Sequence, residues 1–206
     1  MLRRVLFAGV AAALVLALPA GATVAVDAEF VSSYCVMENP NEILTRLGSD
    51  LGIDVPGLNM GFGGRLQLGF DPQGPLAPVY VAISGLAMSA GTRDVSASAG
   101  LVGFCLGAKL DVARWQVSGG FGVQRGTFEL PAERLVGLEG WGACLEAGAR
   151  YEFAVAPKLS ATLTLRGQWA PIYEMEDRTG QKYRGRGMPY VDFTGMSASM
   201  GINWAP

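Results

Sequence analysis

The sequence predicts an all-β chain: an eight-stranded antiparallel transmembrane β-barrel with one short helix in its first long loop. Three observations carry this. Eight segments alternate apolar residues with polar or small ones at period two. Their apolar faces carry no Asp, Glu, Lys or Arg. The connections between them alternate between short and long.

The chain opens with a segment that is not part of the barrel. Residues 1–22 read as a secretory leader, with Arg3 and Arg4 at the start, an apolar run over 5–18, and the small-x-small stretch Ala20-Gly21-Ala22. That run is short against the roughly 20 residues a spanning helix needs, so cleavage is expected, leaving 23–206 as the barrel. Loss of Arg3 and Arg4 takes 16 basic residues to 14 against 18 acidic ones, a mature charge of −4.

The strands follow in order. The first candidate, over 23–35, sets Val24, Val26, Ala28 and Phe30 against Ala25, Asp27 and Glu29. The second sets Phe62, Leu66, Leu68 and Phe70 against Gly61, Gly63, Arg65 and Gln67. A third, over 78–89, alternates as Val79, Val81, Ile83 against Tyr80, Ala82, Ser84 and then blurs. Val102 to Val112 and Trp115 to Val123 supply two more, with Lys109 and Asp111 on the polar side of the former. Trp141 to Phe153 carries Glu146, Arg150 and Glu152 on its polar side, and Leu159 to Trp169 carries Arg166. Met196 to Trp204 is the last.

The connections at 71–77, 113–114 and 154–158 are short and fall on one rim, whereas 36–58, 90–94, 129–137 and 171–189 fall on the other. An even strand count puts both ends on the short-turn rim, expected to face the periplasm. A charge at the bilayer midplane of a barrel costs about 2–4 kcal/mol, so the apolar faces point to lipid and the charged faces inward. A soluble barrel or sandwich would reverse this. Aromatic girdles are expected at Phe70, Trp115, Tyr151, Phe153 and Trp204 on the short-turn rim, and at Trp141, Trp169 and Tyr190 on the other. Trp141 to Tyr151 spans about 34 Å of strand, or about 25 Å at a tilt of about 40°, the height of an outer-membrane apolar band.

On this pattern of strands the chain resembles the small outer-membrane barrels of the OmpA transmembrane domain, OmpX and OmpW type. Such chains usually end on an aromatic residue; here Trp204 stands in that place and Ala205-Pro206 follow. The resemblance implies outer-membrane lipid and lipopolysaccharide as surroundings and the barrel-assembly machinery as a partner during insertion. The enzymes of this fold, namely lipid A acyltransferases and deacylases, phospholipases and omptin-like proteases, depend on a histidine base. This chain has no His, so no enzyme activity is expected.

Inside the barrel a polar cluster of Arg65, Lys109, Asp111, Glu146, Arg150, Glu152 and Arg166 is expected. A two-residue turn at Ala113-Arg114 sets Asp111 opposite Gln116, Lys109 opposite Ser118 and Cys105 opposite Gly122. A symmetric turn near Ala156 sets Glu146 opposite Arg166, predicting an ion pair there, extended by Arg150 and Arg65. Inward glycines, Gly107, Gly120 and Gly142 among them, leave room for something to fill. In the first long loop, Asn39-Pro40 with Glu42 reads as a helix start, and Ile43, Leu44, Leu47 and Leu51 form an apolar stripe before Gly52. That helix could cap the barrel, enter it, pack on neighbouring loops or lie on the membrane.

Composition narrows the partners. Half of the 206 residues are hydrophobic and only 17% are charged, with a net charge of −2, so disorder is excluded and nucleic acid is not expected as a partner. Cys35, Cys105 and Cys144 are expected to be free thiols, because Cys105 and Cys144 lie two strands apart, beyond the disulfide reach of about 7 Å. Without His or paired Cys spacing, neither a metal site nor a cofactor is expected. Two functional classes stay open. One is a structural or surface-interaction barrel acting through its long extracellular loops on lipopolysaccharide or another envelope protein. The other is a narrow porin-like channel through the charged, Gly-lined lumen.

Overall fold

The computed structural model describes residues 23–71, 78–92, 94–185 and 188–206. The expected leader, 1–22, lies outside the described residues, as do most of the 71–77 connection and residues 186–187. Strands β1 (Thr23–Cys35), β2 (Met60–Asp71), β3 (Val79–Gly91), β4 (Ser96–Val112), β5 (Trp115–Leu130), β6 (Leu135–Ala156) and β7 (Leu159–Trp169) pair antiparallel in sequence order. The final long strand, β12 (Gly195–Trp204), pairs with both β7 and β1 and closes the ring at eight strands. Closure leaves no sheet edge within the ring, as a bilayer requires. No helix among the described residues is long and apolar enough to cross a membrane.

The alternation decides which way each side chain points. Phe62, Leu66, Ile83, Val102, Phe121, Leu145, Leu165 and Met200 stand exposed on the outer wall, while Asp27, Arg65, Lys109, Arg150 and Arg166 are buried inside. An apolar exterior around a charged interior suits hydrocarbon, not water.

Register is set at the turns. Ala113 takes a left-handed φ of 58° in a two-residue turn, and β4 and β5 pair as expected, Asp111 with Gln116, Lys109 with Ser118 and Cys105 with Gly122. The β6–β7 turn differs. Lys158 takes a φ of 66°, and the register shifts between Ala154 and Ala156. The hairpin is therefore asymmetric, which sets Glu146 opposite Gln168, and Arg166 opposite Gly148. The expected facing of Glu146 and Arg166 is corrected by this shift.

The long-loop end carries the remaining elements. Helix α1 (Glu38–Leu51) starts at a cap on Met37, slightly before the predicted start, and ends at Gly52 in the left-handed conformation. Asn39 does not cap the helix; its Nδ2 donates to the Tyr190 carbonyl at 3.0 Å. Leu44 is buried, and Ile43 and Leu47 pack on the same apolar cluster, whereas Leu51 is exposed and leaves the expected stripe. A 3-10 turn, Pro131–Glu133, links β5 to β6, and Arg46 of α1 reaches Glu133 there at 2.9 Å. Between β7 and β12 the chain forms four short strands: β8 (Pro171–Ile172), β9 (Glu174–Glu176), β10 (Lys182–Arg184) and β11 (Val191–Asp192). Strand β8 pairs with β11, and β9 pairs with β10 and touches β6 at Glu139.

Candidate functional site

The lumen has two unlike halves. The half toward the short-turn rim is ionic. Asp27, wholly buried, accepts from Arg150 Nη2 at 2.6 Å, Gln67 Nε2 at 3.0 Å and Lys109 Nζ at 3.4 Å, and from Asn203. Glu29 accepts from Ser199 at 3.0 Å, Thr164 at 3.2 Å and Arg166 at 3.3 Å. Glu146 takes a two-pronged bond from Arg65, at 2.6 and 2.9 Å, and a third from the Tyr80 hydroxyl at 2.8 Å. Buried carboxylates are tolerated only with such full partnering.

The expected cluster is therefore present but wired differently. Arg166 bonds Glu29, not Glu146, and Arg65 is the partner of Glu146. Arg150 joins Asp27 to Glu152, which it meets at 3.0 Å. Asp111 lies apart, bonded to Gln116 at 2.8 Å at the short-turn rim. Asp27, Glu29 and Tyr80 are central, yet the expected cluster omitted them. Their signal was parity: each alternates with outward apolar residues, and β1 must face the other strands once the ring closes. Tyr80 also answers what fills the glycine-lined space. A Cβ on Gly107 would lie 2.3 Å from its Cζ, and one on Gly120 would lie 2.6 Å from its hydroxyl.

The other half is apolar and filled. Met88, Ala97, Ala99, Leu101, Phe128, Leu130 and Leu138 point inward from the wall and meet Met37, Leu44 and Leu58 of the first loop. Ala170, Ile172, Met175, Val191 and Phe193 of the last loop complete this cap. The chain drops inward after β7, and the wall gives way to admit it. A Cβ on Gly126 would sit 2.3 Å from Ile172 Cδ1, and one on Gly140 would sit 2.6 Å from Ile172 Cγ2. Only glycine allows this approach.

The girdle residues divide accordingly. Trp115, Trp141, Phe153, Trp169 and Trp204 are exposed on the outer wall, and Tyr151 is half-buried between Trp115 and Phe153 with edge-on rings at 5.1 and 4.7 Å. Two expectations are corrected. Tyr190 lies on the loop that folds over the mouth, so its ring packs in the cap against Phe128 and Tyr183 instead of facing lipid. Phe70 pairs with Val24 of β1 and Val79 of β3 and has outward parity, but it is 6% exposed and so does not stand out on the wall with the other girdle residues.

Outside the cap, β9 and β10 form a projecting charged hairpin. Glu174 bonds both Lys182, at 2.6 Å, and Arg184. These two cations hold its carboxyl below the usual range, and the Thr179 hydroxyl does the same for Asp177. Cys35, Cys105 and Cys144 are free thiols.

No protein-family model matches the chain, and no curated protein matches it in sequence. Among solved structures, Ail, the attachment invasion locus protein of Yersinia pestis, aligns over 89% of this chain and 97% of its own, with a TM-score of 0.52 at 8% identity. The chain has the fold of the small outer-membrane β-barrels. Neisserial surface protein A (NspA) also matches, covering 90% of this chain and 99% of its own at 12% identity and a TM-score of 0.49. OprG from Pseudomonas aeruginosa covers 92% and 97% at 12% identity and a TM-score of 0.46. The lipid-facing exterior of this outer-membrane barrel seats it in the bilayer, with the cap and the β9–β10 hairpin beyond the apolar band.

Proposed function

We propose that this outer-membrane barrel serves as a surface-interaction protein, in which a closed barrel holds an ordered cap at the cell exterior for contact with lipopolysaccharide sugars. The observation that carries this reading is the apolar cap itself. It joins the first and last loops to the wall through buried residues from Met37 to Phe193, filling the outer half of the lumen. Such a cap suits a fixed display surface and argues against a conducting path. The ionic half, with Arg65, Arg150 and Arg166 each held on a carboxylate, serves in this reading as the internal support of the wall.

The β9–β10 hairpin is the contact element in this reading. Glu174, Glu176 and Asp177 balance Arg178, Lys182 and Arg184, so its surface has no net charge and suits sugar hydroxyls better than a polyanion. Tyr173 is exposed beside it and offers a ring for stacking on a sugar face. Ail was solved with the heparin analogue sucrose octasulfate; the charge balance here favours a less anionic ligand. The role is non-enzymatic, since the chain has no His and its buried carboxylates are each engaged by cations. Export by cleavage after Ala22 belongs to the same reading and is checked by the mass of the mature protein, with Thr23 first.

Two measurements test the role. Replacing 173–185 by a short Gly-Ser turn should abolish retention on immobilised neutral O-polysaccharide of lipopolysaccharide while leaving the barrel folded. In planar bilayers the wild-type protein should be silent; steady openings altered by Arg166→Ala would instead favour the narrow channel.

A further inference from the structure

A cavity of about 30 Å³ lies within the wall of strands, where the ionic half meets the cap. Arg65, Arg166, Ser33, Ser84, Ser197 and Gln168 supply its polar lining, and none of its lining residues is Asp or Glu. The side chains of Arg65 and Arg166 are 3% and 7% exposed. Both Nη atoms of Arg65 are committed to Glu146, and among the described residues the Arg166 guanidinium makes one hydrogen bond, at 3.3 Å, to Glu29. The Nε of each is buried without a hydrogen-bond partner among the described residues. A buried guanidinium donor left unmatched is costly.

Arg65, Lys109, Arg150 and Arg166 are four deeply buried cations, against three comparably enclosed carboxylates, Asp27, Glu29 and Glu146. Glu152, the remaining carboxylate on this network, has its side chain 36% exposed toward the rim. The extra cation lies at Asp27, which holds both Lys109 and Arg150, while Arg65 and Arg166 each keep one carboxylate; the two arginines meet at one small cavity that has no acid in its lining. Its size exceeds the 10–15 Å³ or so that a single water occupies by the same measure, but leaves no room for phosphate or a sugar.

We propose that this cavity is a binding site for a single monoatomic anion, chloride under ordinary conditions, held between Arg65 and Arg166. The ion accepts hydrogen bonds from the unmatched guanidinium donors and the Ser84 hydroxyl. It acts as an internal counter-ion, beside Leu86 and Leu101 on the side of the cap. The site is independent of what the loops contact outside.

The test uses the full barrel folded in bromide instead of chloride. Anomalous diffraction should show one bromide between Arg65 and Arg166, and urea unfolding in vesicles should shift to a lower midpoint when halide is exchanged for gluconate at constant ionic strength. Both signals should be lost in Arg166→Gln. Because that variant also removes a partner of Glu29, Ser84→Val provides a second reading: it keeps both arginines, fills part of the cavity, and should lose the bromide while still folding. No bromide peak, an unfolding midpoint indifferent to halide, or bromide retained in both variants as an adventitious ion only would each overturn the assignment.

Discussion

Arg65 of β2 and Glu146 of β6 meet across the lumen through two parallel hydrogen bonds, at 2.6 and 2.9 Å, although three strands lie between them in either direction round the ring. The pair ties opposite walls of the barrel together, and Tyr80 locks the carboxylate from a third strand at 2.8 Å.

Breaking one side of this pair strands the other charge. Arg65→Met or Glu146→Gln alone should lower unfolding stability by about 3–5 kcal/mol, measured by urea titration of the reconstituted barrel. The combined Arg65→Met, Glu146→Gln variant should lose much less than the two added together. Additive losses would show that the two side chains do not act as a unit.

The glycines beneath Ile172 should be intolerant of any side chain. Gly140→Ala places a Cβ about where the Glu174 carbonyl, at 2.5 Å, and Ile172, at 2.6 Å, now lie. Overpacking of this kind costs about 1–3 kcal/mol. Its expected outcome is release of the β7–β12 connection to protease, with the barrel's heat-modifiable migration preserved. Unchanged protease resistance would show that the wall does not control the inserted loop.

Acid should loosen the β9–β10 hairpin before the barrel. Lys182 and Arg184 depress the Glu174 carboxyl, so their contribution is complete above the unfolded carboxyl value of about 4.3 and is lost as pH falls through the lower, folded one. Hydrogen exchange over 174–184 should accelerate only below that value. Glu174→Gln should exchange fast at neutral pH and show a much weaker acid response.

Leu145 lies on the outer wall between Trp141 and Tyr151 and is more than half exposed. Leu145→Arg should cost about 2–4 kcal/mol of folding in vesicles, read from the fraction of heat-modifiable protein. The same residue introduced at neighbouring Cys144, which points inward, acts on the lumen, and its cost should not follow bilayer thickness as that of Leu145→Arg does.

The barrel was legible in the sequence because its physics is local. Alternation at period two fixes which way Leu145 and Glu146 point, and closure of the sheet then dictates inside from outside. The bounds of β1 and β7 follow directly from it. Ion-pair partners were not legible to the same degree. They depend on register, and one shift at Ala154 and Ala156 displaced Glu146 from Arg166. The link between Arg65 and Glu146 spans a closed ring, so it follows from curvature that no pairwise hairpin argument contains. Tyr190 was misplaced for another reason. It belongs to a loop whose path is set by packing on Phe128, not by alternation, and an aromatic residue near a strand end reads alike in a girdle and in a cap.

The cap draws on the first loop, the wall and the last loop, with Met37 and Phe193 separated by nearly the whole barrel. Its parts cannot gather until the wall that seats Ile172 exists. The cap therefore depends on the closed wall beneath it, so an intact cap reports on the completeness of the barrel that seats it.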